Sequence, residues 1–180
     1  MELRRLRIDP FSFALAVLIA ITLAFFAARN GAAVVMGALC LTGVLAGRLS
    51  GLSNRALVPL VLGLVVILWF VWVDPPAGPR KMSALAHLAG GALAGWALAE
   101  TLRGRLRWPA WAAAALAGVL VLAVLWELGE WAGDGALDTS LDPNLRDSAI
   151  DVLLGVAGAA PAVALSWAVC AFARAGGGRS

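Results

Sequence analysis

The chain has 180 residues, 62% of them hydrophobic, with 14 Lys and Arg against 11 Asp and Glu, one His and a net charge of +3. That apolar share is far above that of a soluble domain. The apolar runs are continuous rather than alternating, so a soluble enzyme and a β-barrel are both excluded in favour of an all-α polytopic membrane protein.

A single transmembrane domain of six spans, covering residues 1–180, is predicted. MELRRLRIDP is a basic flank. Residues 11–28 (FSFALAVLIAITLAFFAA) form the first span, too long for a signal-peptide core and so expected to stay as a helix. Arg29-Asn30-Gly31 predicts a tight turn into a second span at 32–47, and GRLSGLSNR (47–55) a polar loop. The third span, 56–73, ends in Trp69 and Trp72, which suit the interfacial belt. VDPPAGPRK (73–81) cannot continue a helix. The fourth span, 82–100, is the least hydrophobic and carries His87. A basic loop (ETLRGRLRW, 100–108) leads to Pro109, suited to a first helical position, and a fifth span at 109–132. An acidic loop turning at Asp142-Pro143-Asn144 precedes the sixth span, 147–173, and the tail RAGGGRS.

Lys and Arg divide unevenly between the two sides. Arg4, Arg5, Arg7, Arg48, Arg55, Arg103, Arg105, Arg107, Arg174 and Arg179 share one side, and Arg29, Arg80, Lys81 and Arg146 the other. The positive-inside rule puts both termini in the cytoplasm of a bacterial inner-membrane protein. The arginines sit at span ends, so their charge reports topology and not nucleic-acid binding. Cys40 and Cys170 lie mid-span without a CxxC and read as small buried apolar residues. A lone His excludes multi-histidine zinc or di-iron chemistry.

Residues 126–151 (WELGEWAGDGALDTSLDPNLRDSAID) hold Glu127, Glu130, Asp134, Asp138, Asp142, Asp147 and Asp151, most of the chain's carboxylates. Ionisable groups at membrane depth are costly and mark functional sites. Glu127 and Glu130 share a face at the outer end of the fifth span. Asp147 and Asp151, four apart, share a face at the outer start of the sixth, a face that continues through Gly155 and Gly158. His87, Gly91 and Gly95 line one face of the fourth span, a seam where helices can approach closely. His87 lies about 7 Å in from the outer end of its span at 1.5 Å per residue. Three spans therefore bring a histidine and four carboxylates to one level.

Plainer roles compete. Asn144 followed by Asp147 fits a helix cap, and Glu130 beside Trp131 fits an interfacial charge. Asp134, Asp138 and Asp142 fall in the loop and read as solvated; Ser148, Thr139 and Ser140 are nearby hydroxyls without a role. Several ionised carboxylates in one pocket call for retained protons, for Arg146 or for a cation. Oxygen donors suit Mg²⁺, Mn²⁺ or Ca²⁺, held by Glu127, Glu130, Asp147 and Asp151, with His87 as catalytic proton carrier.

Over roughly residues 85–160, His87, the pair in WELGEW and LDTSLDPNLRDSAIDVLLGVAGA resemble the YjdF-type inner-membrane proteins and, more distantly, VanZ-like proteins. On the shared E…E…D-x-x-x-D…G pattern, Glu127, Glu130, Asp147 and Asp151 are the matched positions. The resemblance implies a bacterial cell-envelope protein, with glycopeptide tolerance among some VanZ-like members. Three functions are open at this point. One is a cation-assisted enzyme acting on a membrane lipid or lipid-linked envelope precursor at its headgroup. The second is a cation- or proton-coupled small-molecule transporter. The third is a non-catalytic envelope factor.

Overall fold

The computed structural model describes residues 9–72, 79–137 and 144–176. Among them six helices form and no strand does: α1 (Pro10–Ala27), α2 (Gly31–Leu49), α3 (Asn54–Trp72), α4 (Pro79–Leu102), α5 (Ala110–Leu137) and α6 (Leu145–Gly176). The all-α reading holds. Five of the six are long and apolar enough to cross a membrane; α4, which carries Ser83, His87, Glu100 and Thr101 among alanines and glycines, is the exception.

Local chemistry sets the ends. Asp9 caps α1, its carboxylate accepting from the Ser12 backbone N–H at 3.1 Å, with Pro10 at the first helical position. Arg29, at φ 56°, supplies the left-handed residue of the α1–α2 turn, and Asn30 caps α2 through the Ala33 N–H at 3.1 Å. Gly31 is thus the first residue of α2 and not the bend itself. The Asn54 amide donates to Asp9 at 2.9 Å and accepts from the Arg48 guanidinium at 2.8 Å, tying the start of α1, the end of α2 and the start of α3 together. Phe11, Leu18, Phe25, Met36, Val44, Leu57 and Val61 fill the core between these three helices.

Several predicted boundaries shift. Pro79 opens α4 ahead of 82, because a proline's missing N–H is harmless in a first turn. The segment 100–108 is helical as far as Leu102, and α5 begins after Pro109, whose carbonyl accepts from the Ala113 N–H. α5 also runs past 132 to Leu137, so Asp134 stands on a helix and not in a loop. The reason lies in packing: a Cβ on Gly129 would come within 2.6 Å of Leu39, and one on Gly133 within 2.8 Å of Val35. These glycines admit α2 and do not end the helix. The basic flank at 1–8, the turn at 142–143 and the tail at 177–180 lie outside the described residues, as do Asp138, Thr139, Ser140, most of the proline-rich connection and the Trp72 side chain.

The α4–α6 pair is the tightest in the fold. A Cβ on Gly91 would stand 1.9 Å from the Gly155 carbonyl oxygen, one on Gly158 2.0 Å from the Leu88 carbonyl oxygen, and one on Gly95 2.9 Å from the Ala159 Cβ. Position 91 meets 155 and position 95 meets 159, a constant register that makes the two helices parallel. In a bilayer there is no apolar-to-water gradient to drive helix association, so close backbone contact and dispersion do it. α5 runs antiparallel to both, as the Gly118–Leu98 and Ala123–Gly155 approaches require. The starts of α4 and α6 and the end of α5 therefore share one end of the bundle.

Candidate functional site

At that end the imidazole of His87 stands between two acids from two other helices. Its Nδ1 is 3.8 Å from Glu127 Oε1 on α5, and its Nε2 is 3.4 Å from Asp151 Oδ2 on α6. One donor atom from each of the three residues lies within 4.8 Å of the other two. Glu127 is buried, and His87 and Asp151 are largely so. The register explains the meeting: His87 and Asp151 each sit one turn before the glycines Gly91 and Gly155, whose contact sets how close the two helices come.

Ser83, one turn before His87 on the same face, donates its hydroxyl toward Asp151 Oδ2 at 3.5 Å. Sequence reasoning passed over it, although the step of four through Ser83, His87 and Gly91 carried the signal. Ser148, one turn before Asp151, is buried, its hydroxyl 3.5 Å from the Asn144 carbonyl.

The other expected site residues have contacts of their own. Glu130 is buried, and its Oε1 accepts from the Trp126 indole N–H at 2.6 Å, one turn back on α5. Asp147 belongs to the first turn of α6. Asn144 Oδ1 accepts from the Arg146 and Asp147 backbone N–H groups at 3.0 and 3.2 Å, and the Asn144 amide donates to Asp147 Oδ2 at 3.0 Å. That is a capping arrangement, with a negative charge at the positive helix end. Asp134 is half-buried near the end of α5, and Asp138 and Asp142 lie outside the described residues.

A second polar cluster, at the opposite end of the α4–α6 pair, was not legible in the sequence. Ser166, fully buried, donates to Glu100 Oε1 at 3.3 Å, while the Arg103 guanidinium pairs with Glu100 Oε2 and reaches Cys170 Sγ at 3.0 Å. Cys170 is only half-buried and meets a cation, where an inert apolar contact was expected.

An imidazole flanked by two carboxylates can do two things. It can carry a proton, one acid orienting the ring while the other nitrogen faces its partner, or it can join the acids in holding a cation. Nε2, Asp151 and Glu127 supply one nitrogen and two oxygen donors, a mixed set that suits Mn²⁺ or Zn²⁺ better than the all-oxygen shell Ca²⁺ or Mg²⁺ prefers.

No curated protein and no solved structure matches the chain. Residues 81–171 match the model of the family described as predicted membrane protein, DUF2238. The matched segment runs from the first turn of α4 through most of α6, and so contains His87, Glu127, Asp151 and the Glu100–Ser166 cluster. With half of its length covered by that model, the chain belongs to the DUF2238 family of membrane proteins.

Proposed function

We propose that His87, Glu127 and Asp151 form a cation-assisted acid–base site, and that the protein acts on the phosphate-bearing headgroup of a membrane lipid or lipid-linked envelope precursor. The single observation that carries this reading is the convergence of one nitrogen and two carboxylate donors from three separate helices. Taking such groups from water is expensive, and a bundle that only needed to fold would fill the positions with apolar residues. A bound cation would polarise a phosphoryl oxygen. With Nε2 on the cation side beside Asp151, Nδ1 is the nitrogen left to take or give a proton, and Glu127 Oε1 stands 3.8 Å from it. Ser83 holds Asp151 from the other side.

On this proposal the site faces the extracytoplasmic side, as the Lys and Arg asymmetry implies. Within the family, we group the chain with the YjdF-type proteins on the pattern formed by Glu127, Glu130, Asp147 and Asp151. The more distant VanZ-like likeness rests on the same four acids.

A transporter is the second reading. Backbone meets backbone at the Gly91–Gly155 and Gly158–Leu88 approaches, so a proton or ion path would run on another face of α4 or α6 and not along their seam. The test follows from this. Purified protein in detergent, with Mn²⁺ and a phosphate-ester lipid, should release product without any gradient, and His87→Ala and Asp151→Asn should abolish it. Gradient-dependent uptake into proteoliposomes with no turnover in detergent would overturn the enzyme reading.

A further inference from the structure

The turn from α4 to α5 carries Arg103, Arg105 and Arg107, at the end of the bundle opposite the trio. Glu100 neutralises Arg103. Arg105 and Arg107 are exposed, and among the described residues no carboxylate pairs with either. Backbone bonds fix the turn. The Arg105 and Leu106 N–H groups both donate to the Leu102 carbonyl at 2.9 Å, and the Trp111 N–H donates to the Arg107 carbonyl at 3.2 Å. Exposed apolar side chains stand between and beside the two cations, Leu106 by 42% and Trp108 by 52%. Trp108 packs edge-on against the buried Trp111, ring centroids 5.3 Å apart, and against Trp167 of α6 at 5.4 Å.

These contacts set the depth of the turn. Trp167 stands five residues before Phe172, where the apolar span of α6 ends. That is about 8 Å inward at 1.5 Å per residue. The Arg103 guanidinium meets Cys170 Sγ at 3.0 Å, two residues before the same point. The turn is therefore laid along the flank of α6 and not projected past it into water. Arg105 and Arg107 are held at headgroup level, where indoles also settle.

We infer that this turn is a site for an anionic phospholipid carrying two phosphates, independent of the chemistry of the trio. The arginines take the headgroup, and the indoles meet the chains. Charge chooses the headgroup: two uncompensated guanidiniums match two phosphates, which they bind through paired N–H donors. The interleaved Leu106 and Trp108 choose a ligand that is both anionic and apolar, which a nucleic acid or an acidic soluble protein is not. The order is that of a leaflet, because tails running inward from the arginines pass Trp108 and Trp167. Other arginines at this end lack the combination. Arg48 donates to Asn54 at 2.8 Å and lies 5.0 Å over the Phe11 ring, and Arg55 is exposed with no indole in contact.

The test is lipid binding to the full-length protein in detergent, read by native mass spectrometry. The probes are a diphosphatidylglycerol, a phosphatidylglycerol and a phosphatidylethanolamine with the same acyl chains, and inorganic pyrophosphate as the anion without chains. In the unaltered protein the two-phosphate lipid should bind most tightly, phosphatidylglycerol less so and phosphatidylethanolamine least, with no measurable pyrophosphate binding. Arg105→Gln and Arg107→Gln should each weaken the two-phosphate lipid about fivefold, the effect of one basic residue at an anionic membrane surface. Arg55→Gln, which removes a charge from the same end, should leave that affinity unchanged. Melting temperatures without lipid show that the variants are folded, and the ranking of lipids needs no variant. Equal affinity for the two anionic lipids, pyrophosphate binding as tight as lipid, or an equal loss in Arg55→Gln would overturn the inference. Affinities unchanged in both Arg105→Gln and Arg107→Gln would also overturn it and would leave the turn to an acidic soluble partner.

Discussion

His87 Nε2 faces Asp151 Oδ2 across 3.4 Å, one turn before the point where the Gly91 and Gly155 backbones touch. The site and the seam are thus one construction: the glycines decide the separation at which the imidazole meets the acid. If His87, Glu127 and Asp151 exist to hold a cation, the cation-free protein keeps two carboxylates close together out of bulk water, at a cost. Asp151→Asn should then raise the melting temperature without metal and abolish the rise that Mn²⁺ gives the unaltered protein. That rise should correspond to about 2.7 kcal/mol at a hundredfold excess over Kd. Thermal unfolding in detergent, with and without Mn²⁺, reads both effects.

The glycine seam makes a sharper prediction from two neighbouring residues. At Gly91 an added methyl meets a backbone carbonyl that cannot move aside, whereas at Gly90 nothing lies within 4 Å. Gly91→Ala should cost more than the ~1–3 kcal/mol usual for overpacking and lower Mn²⁺ affinity by spreading His87 from Asp151. Gly90→Ala should be neutral or should stabilise by up to about 1 kcal/mol through helix propensity. The same thermal assay, run on both, checks the pair.

Glu127 and Glu130 should part company. Glu130 accepts a short bond from Trp126, and a glutamine there keeps the acceptor oxygen. Glu130→Gln should leave Mn²⁺ affinity nearly unchanged, whereas Glu127→Gln should reduce it by at least the ~10–100-fold seen when a group supporting a metal ligand is lost. Isothermal titration of the two variants side by side measures this.

The Glu100–Ser166–Arg103 cluster should matter for stability alone. Residues 87 and 100 on α4 are about 20 Å apart along the axis. Ser166→Ala should cost roughly 0.6–2 kcal/mol, the range for a hydrogen bond between membrane helices, with Mn²⁺ affinity unchanged. A change in affinity would mean that the two ends of the α4–α6 pair are coupled.

Orientation is tested with single cysteines in a chain carrying Cys40→Ala and Cys170→Ser. Asn144→Cys, at the end bearing the trio, should react with an impermeant maleimide in intact cells. Leu49→Cys, 88% exposed at the other end, should react only after permeabilisation. The reverse pattern would put the site in the cytoplasm.

The sequence carried much of this because membrane helices announce themselves. Runs such as residues 11–28 have no other low-energy fate in a bilayer, and the four-residue steps through His87, Gly91 and Gly95 and through Asp151 and Gly155 mark faces directly. Spacing gives a face but not its neighbour. It therefore groups Glu130 and Asp147 with the trio, and it does not show that Glu130 accepts from Trp126 or that Asp147 accepts from the Asn144 cap. The fifth span, bounded at 132 in the sequence, runs on through Gly133, whose use as a landing for Val35 is a tertiary fact. Ser166 and Glu100 escaped notice for a related reason. A serine inside an apolar run and a glutamate beside a basic loop each look ordinary, and only the parallel pairing of α4 and α6 joins them.

The central claim is that α4, α5 and α6 together hold one cation. Titration of Mn²⁺ into the purified full-length protein, followed by electron paramagnetic resonance, tests it most directly. The account predicts a single saturable site with a nitrogen coupling from the imidazole, the coupling lost in His87→Ala and the site lost in Asp151→Asn. Mn²⁺ that binds without saturating, or binds equally in the unaltered protein and both variants, would contradict it.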